Sequence, residues 1–126
     1  MRRLIHPALA LAACLLAFAG CSESGGDGAV SDRKDQAARG AELIAAKGCG
    51  TCHEIPGIDG ATGRVGPPLD HMGDRMFIAG MIRNTAENMQ VWLTDPQSVV
   101  PGNAMPDTGL EADEAEDVAA YLESLR

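Results

Sequence analysis

Large aromatic side chains are almost missing from this sequence: Phe, Trp and Tyr make up 3% of its 126 residues. Beyond residue 20 only Phe77, Trp92 and Tyr121 remain. The length fits one small domain and not two. A core this short of large apolar groups needs a staple, whether disulfides, a metal or a cofactor. Basic residues are scarce too. Beyond residue 20, 8 Lys and Arg face 18 Asp and Glu, a charge near −10. That balance excludes nucleic-acid binding, which needs a basic footprint. Strand-like alternation is absent, but apolar residues do recur at helical spacing, which excludes a collagen-like or fully disordered chain.

The one long apolar run, Leu4 to Ala19, is broken by His6 and Pro7 and is too short for a membrane-spanning helix. With Arg2 and Arg3 ahead of it, residues 1–20 read as an export signal. The run ends Phe18-Ala19-Gly20-Cys21, which resembles the box at which bacterial lipoproteins are cut and acylated on the cysteine. Phe18 departs from the usual aliphatic residue. Leu11-Ala12-Ala13-Cys14 is a rival box, and an ordinary soluble secretory signal is a third reading. Residues 21–35 are rich in Gly, Ser and Asp without periodicity and read as a lipidated Cys21 followed by a flexible tether. Such a tether spans roughly 20 Å. The folded domain is then expected over residues 36–126, on the periplasmic side of the cell envelope and anchored to the membrane.

Of the four cysteines, Cys14 leaves with the signal and Cys21 carries lipid, so Cys49 and Cys52 remain, in Cys49-Gly50-Thr51-Cys52-His53. C-x-x-C-H is the attachment signature of haem c: two thiols at this spacing add to the two vinyl groups, and the adjacent histidine ligates the iron. Other readings fit less well. A thioredoxin-like dithiol needs a βαβ setting that is missing here. A zinc site needs a second Cys or His pair, and His71 stands alone. A structural disulfide leaves the histidine unexplained. One motif means one covalent haem, and its early position excludes the four-helix cytochromes c′.

Candidates for the iron's second axial ligand are His71, Met72, Met76, Met81, Met89 and Met105. Met105 stands in Pro101-Gly102-Asn103-Ala104-Met105-Pro106, a stiff loop suited to presenting one side chain. Methionine there would raise the reduction potential. The other four methionines are expected to pack against the ring or the core, and His71 to lie at the surface.

Taken together, the chain resembles the class I monohaem cytochromes c over about residues 35–126. The resemblance rests on the order of Gly40, Cys49 to His53, Gly66-Pro67-Pro68-Leu69, Arg75, Trp92-Leu93-Thr94-Asp95-Pro96, Pro101 to Pro106 and Val118 to Leu122. Within that family the stretch from Arg75 through Asn84-Thr85, Asn88 and Trp92 to Pro106 is similar to the cytochrome c domain fused to subunit II of haem-copper oxidases. The membrane helices and copper domain of that subunit are not in this sequence, and Val100 replaces a frequent lysine. The resemblance implies an all-α fold of three to five helices around one haem, with the N- and C-terminal helices crossing. It further implies that the Pro67 carbonyl accepts a hydrogen bond from the His53 ring, that Arg75 approaches a haem propionate, and that Trp92 packs beside the haem.

Helical periodicity agrees. Ala37, Gly40, Leu43 and Ile44 form one stripe of a helix over 35–46, with Gly40 letting the backbone approach the Tyr121 ring. Ala115, Val118, Ala119, Leu122 and Leu125 form another stripe. Asn84 or Thr85 caps a helix that Pro96 ends. The Gly-rich loop 54–65 is expected to cover the haem's lower edge.

The expected function is electron transfer rather than enzymatic catalysis: a monomeric carrier of single electrons between a membrane donor complex and a terminal oxidase, with no small-molecule substrate. Alternatives are the haem subunit of a periplasmic dehydrogenase and a ligand-sensing haem protein. The acids Asp107, Glu111, Asp113, Glu114, Glu116 and Asp117 read either as a solvated helix face or as a docking surface for a basic partner.

Overall fold

The computed structural model describes residues 25–126, with side chains from Gly28 onward. The export signal and Cys21 lie outside the described residues. Four helices make up the frame: α1 (Gly25–Ala46), α2 (Ala86–Thr94), α3 (Pro96–Val99) and α4 (Ala112–Ser124). Two single turns of tight helix lie between α1 and α2, at Cys49–Thr51 and Met72–Asp74.

α1 and α4 cross through the glycine expected to permit it. A Cβ on Gly40 would overlap the Asp117 carbonyl and stand 3.1 Å from the Tyr121 Cβ. The close approach is thus to the α4 backbone and not, as expected, to the Tyr121 ring. That ring passes the crossing, and its hydroxyl donates to the Pro56 carbonyl at 2.6 Å. Ile44, Ala115, Val118, Ala119 and Leu122 are buried around the crossing.

Polar groups tie the same two helices. Arg39 grips Asp117 with two hydrogen bonds of 2.7 Å, Gln36 reaches Glu116 at 3.0 Å, and Lys47 reaches Glu114 at 3.0 Å and the Gly109 carbonyl at 2.6 Å. Two of the six clustered acids are therefore engaged with α1 and a third, Glu114, with Lys47 just past its end, and neither reading of the run covers them. Glu114 also accepts from its own helix's leading amide, Glu111 N–H, at 3.0 Å. That amide and the Lys47 ammonium hold its carboxyl below the ordinary carboxylate value of 4.5.

The short helices begin on side-chain caps. Thr85 Oγ1 accepts from the Asn88 amide at 3.2 Å to open α2, and Asp95 accepts from the Ser98 amide at 3.0 Å to open α3 behind Pro96. Met89 and Leu93 of α2 are buried, and Trp92 between them is half-buried.

Three expectations need correction. First, the segment read as a flexible tether is helical from Gly25 onward, although residues 28–35 are all exposed. A helix nucleated by packing further along adds residues at little cost, and Ala29, Arg33 and Lys34 are good helix formers. Second, there is a short hairpin, β1 (Phe77–Ile78) with β2 (Ile82–Arg83), pairing Phe77 with Arg83 and Ile78 with Ile82. Two residues a strand are too few to show a period. The turn is made by positive φ at Ala79 (49°) and Gly80 (70°). Third, Met76 just before this hairpin and Met81 in its turn are 68% and 64% exposed, whereas Met72 and Met89 are buried as expected.

Replacing Gly40 with alanine is expected to destabilise the fold. Better helix propensity returns about 1 kcal/mol, but the new Cβ meets backbone that cannot swing aside, at a cost of about 1–3 kcal/mol or more. Because the clash is with backbone the upper part of that range applies, and urea unfolding should show a net loss of up to about 2 kcal/mol.

Because the folded-state pKa of Glu114 is depressed, its contribution is present above about pH 4.5 and is lost as pH falls through the lower folded value. Glu114→Gln should flatten the acid limb of Tm against pH below about pH 5 and leave Tm changes above pH 6 independent of pH.

Candidate functional site

Among the described residues, none of the buried apolar ones that make up the core is aromatic. In the middle of them is a cavity of about 430 Å³, within the range of cofactor pockets. Its deep walls are aliphatic and thioether side chains, among them Ile44, Met72, Met89, Leu93, Val118 and Leu122. The missing aromatic volume and the cavity coincide.

One wall is the segment Gly48–His53. Gly48 takes positive φ (72°) and turns the chain out of α1 into the tight turn that carries Cys49 and Cys52. Both thiols are free, half-buried and on the cavity. Burial pushes the Cys49 thiol up from its ordinary value.

His53 follows and also lines the cavity. Its Nδ1 lies 2.7 Å from the Pro67 carbonyl oxygen. Carbonyl oxygen only accepts, so Nδ1 carries the proton and Nε2 keeps its lone pair for a metal. Gly66, just before Pro67, lies flat on the ring: a Cβ there would stand 2.7 Å from Nδ1 and 2.8 Å from Nε2. The Gly66 amide in turn donates to the Cys52 carbonyl at 2.8 Å. Gly66 is thus a site residue that the Gly-Pro-Pro-Leu string contained without its role being read.

The loop 54–65 folds under this segment. Glu54 pairs with Thr62 in a lone antiparallel bridge, and Ile55 and Ala61 are buried. A Cβ on Gly50 would stand 2.6 Å from Ala61, so the attachment turn and the loop are in backbone contact.

Arg75 reaches the cavity wall and donates to the Pro68 carbonyl (2.6 Å), the Asp70 carbonyl (2.8 Å) and Asp70 Oδ1 (3.2 Å). Its backbone is held by Asn84, whose Nδ2 donates to the carbonyls of Met72 (2.7 Å) and Arg75 (2.9 Å). Trp92 of α2 lines the cavity as well. His71 stands off the cavity with its side chain 67% exposed, 3.9 Å from Asp74.

Met105 lines the cavity and packs against the core. The sequence pointed to prolines and a glycine as what stiffens its loop; the structure adds two carboxamides. Gln97 Nε2 donates to the carbonyls of Asn103 and Met105, each at 3.1 Å, and its Oε1 accepts from Gly102 N–H at 2.9 Å. Asn103 Nδ2 donates to the carbonyls of Pro96 (2.9 Å) and Val100 (2.7 Å), and its Oδ1 accepts from Met105 N–H at 2.8 Å. Thr108 Oγ1 closes the loop onto the Leu93 carbonyl of α2 at 2.6 Å. No sequence signal singled out Gln97, which is exposed and remote from the motif.

Two thiols, an imidazole with a free Nε2 and a thioether thus share one apolar cavity. The set suits a flat apolar macrocycle joined at two edge carbons, whose metal takes one nitrogen and one sulfur ligand. The seven residues expected at the cofactor, Cys49, Cys52, His53, Pro67, Arg75, Trp92 and Met105, all line it.

Comparison with known proteins gives the family. Over 96 residues the chain is 38% identical to the cytochrome c oxidase subunit 2 of Bacillus sp. (strain PS3), which covers 73% of this chain and 27% of that protein. The protein of the same name from Bacillus subtilis is 36% identical over 89 residues, 69% of this chain and 25% of the relative. The chain therefore spans about a quarter of the length of these curated relatives. No solved structure gives a significant match. The cytochrome c family profile covers residues 37–126, from the middle of α1 to the last residue, and the chain belongs to the cytochrome c family, the haem electron carriers.

Proposed function

We propose that this cytochrome is a membrane-tethered carrier of single electrons, with one haem c bonded through Cys49 and Cys52 and ligated by His53 and Met105, working toward a terminal oxidase. The observation that carries the reading is the 2.7 Å contact of His53 Nδ1 with the Pro67 carbonyl beside the two cavity cysteines. Haem c supplies a one-electron iron couple.

The chain's own residues do the rest. Pro67 fixes the tautomer and orientation of the His53 imidazole and makes it a stronger donor. Arg75, pinned by Pro68 and Asp70, offers a cation at the cavity wall that would keep a ligand carboxylate ionised. Gln97 and Asn103 hold Met105, and the aliphatic walls keep water from the metal. With histidine and methionine both committed, no coordination position is left for a substrate, which fits a carrier and not an enzyme. At the rim, Val65 is 78% exposed and Phe77 48% exposed. Small apolar rims of this kind suit partners that dock briefly.

An oxidase as acceptor is supported by the relatives, which are named as oxidase subunits. The lipid anchor is supported by the Phe18-Ala19-Gly20-Cys21 box; among the described residues no helix is long and apolar enough to cross a membrane. On this reading the domain stands on the periplasmic side of the envelope.

The ferric holoprotein is expected to show the weak far-red band of methionine–iron ligation. Met105→Ala should abolish that band, lower the reduction potential and let ferric iron take added imidazole. If the Met105→Ala spectrum and potential match those of the wild type, the sixth ligand lies elsewhere.

Cys21→Ser should abolish incorporation of labelled fatty acid into the protein and leave its haem spectrum unchanged. Labelling that persists in Cys21→Ser, or is missing from the wild type, would sink the anchor assignment.

A further inference from the structure

Met105 is held in an unusual way for a loop residue. Its amide N–H is bonded to the Asn103 side chain at 2.8 Å and its carbonyl to the Gln97 side chain at 3.1 Å. Pro106 follows and offers no N–H. The two groups of Met105 that most directly set where its side chain points are thus fixed by two carboxamides and not by a helix or strand. The carboxamides are themselves coupled, since Gln97 Nε2 also donates to the Asn103 carbonyl. Asn103 ties the pair to both ends of α3, through Pro96 at its start and Val100 just past its end.

Gln97 spans the whole loop. From one residue past the start of α3 it touches Gly102, Asn103 and Met105 and uses all three of its bonds for this purpose. Yet it is exposed and adds nothing to the core. Loss of an exposed side chain costs global stability little. What it does cost is local, because a loop freed at three points opens more often than the fold unfolds.

We propose that Gln97 is a positioning residue for Met105: its carboxamide sets how firmly the thioether stays on the iron, and so how readily another ligand takes its place. The inference rests on Met105 being the sixth ligand, as proposed above. Chemically, Gln97 must both donate and accept. Glutamate at this position keeps the acceptor for Gly102 N–H but sets a carboxylate against the carbonyls of Asn103 and Met105. Leucine keeps the bulk and removes all three bonds.

The test uses full-length holoprotein of wild type, Gln97→Leu and Gln97→Glu, with Gln36→Leu as a control. Gln36 is a glutamine between α1 and α4 whose bond to Glu116 is remote from the loop. Three quantities are read in the ferric state: imidazole affinity, the alkaline pH at which the far-red band is lost, and the thermal unfolding midpoint. Removing the clamp should strengthen imidazole binding roughly tenfold, since the net worth of the lost hydrogen bonds is about one factor of ten in an equilibrium constant. The band should be lost at lower pH in both Gln97 variants. Gln36→Leu should match the wild type in affinity and band, whatever its Tm.

Equal imidazole affinity and equal alkaline midpoints in wild type and both Gln97 variants would overturn the inference and leave the Met105 assignment standing. A Gln36→Leu protein that shifts as much as Gln97→Leu would also overturn it, by showing a general loss of stability. A wild-type protein lacking the far-red band would remove the Met105 assignment itself and this inference with it.

Discussion

Donation from His53 Nδ1 to the Pro67 carbonyl decides which imidazole nitrogen is left for a metal, and much of the surrounding backbone keeps that bond in register. The Gly66 amide bonds the Cys52 carbonyl, and the Leu69 amide bonds the Glu54 carbonyl at 2.8 Å, so the strands of loop on either side of the ring are laced together. Gly66 lies against the imidazole where any side chain would displace it. The next layer out, Arg75, is anchored on Pro68 and Asp70 from the same stretch. The residues around the histidine thus form a single frame, and a change in any one of them shifts the ring.

The second constraint is the α1–α4 crossing. It closes one side of the cavity through Ile44, Val118 and Leu122, and it reaches both ends of the site. Lys47, two residues before Cys49, bonds the Gly109 carbonyl just beyond the methionine loop. Tyr121 reaches across to Pro56 in the loop beneath the attachment turn. Helix packing, attachment segment and methionine loop are mechanically one unit, so small local motions of one of them are resisted by the other two.

The motifs that carry the proposed chemistry stand out in the sequence because covalent and coordination geometry would set their spacing. Two thiols three residues apart next to a histidine, and a methionine between prolines, have few other uses together. Gly40 was legible because a glycine in an apolar helical stripe asks for a close contact, although the contact proved to be the Asp117 carbonyl. What escaped was held by distance in sequence or by context. Gln97 acts on residues up to eight positions away through its side chain, and nothing in its neighbours marks it. Asn84 clamps Met72 and Arg75 across a hairpin whose strands are too short for alternation. Met81 looks like any core methionine until the turn at Ala79 and Gly80 carries it outward, and Met76, just ahead of the hairpin, is exposed as well. The arm from Gly25 to Asp35 reads as linker by composition, because composition does not register a helix propagated from packing further along the chain.

Trp92 is the chain's single tryptophan, and it stands on the cavity wall. Were haem c to fill that cavity, the protein's one indole fluorophore would sit beside a strong absorber of its emission. The folded holoprotein would then be dark, and any opening that separates α2 from the cavity would restore light. A structural choice that fills space beside the cofactor also gives the molecule an internal ruler, read without labels, for how tightly its site is closed.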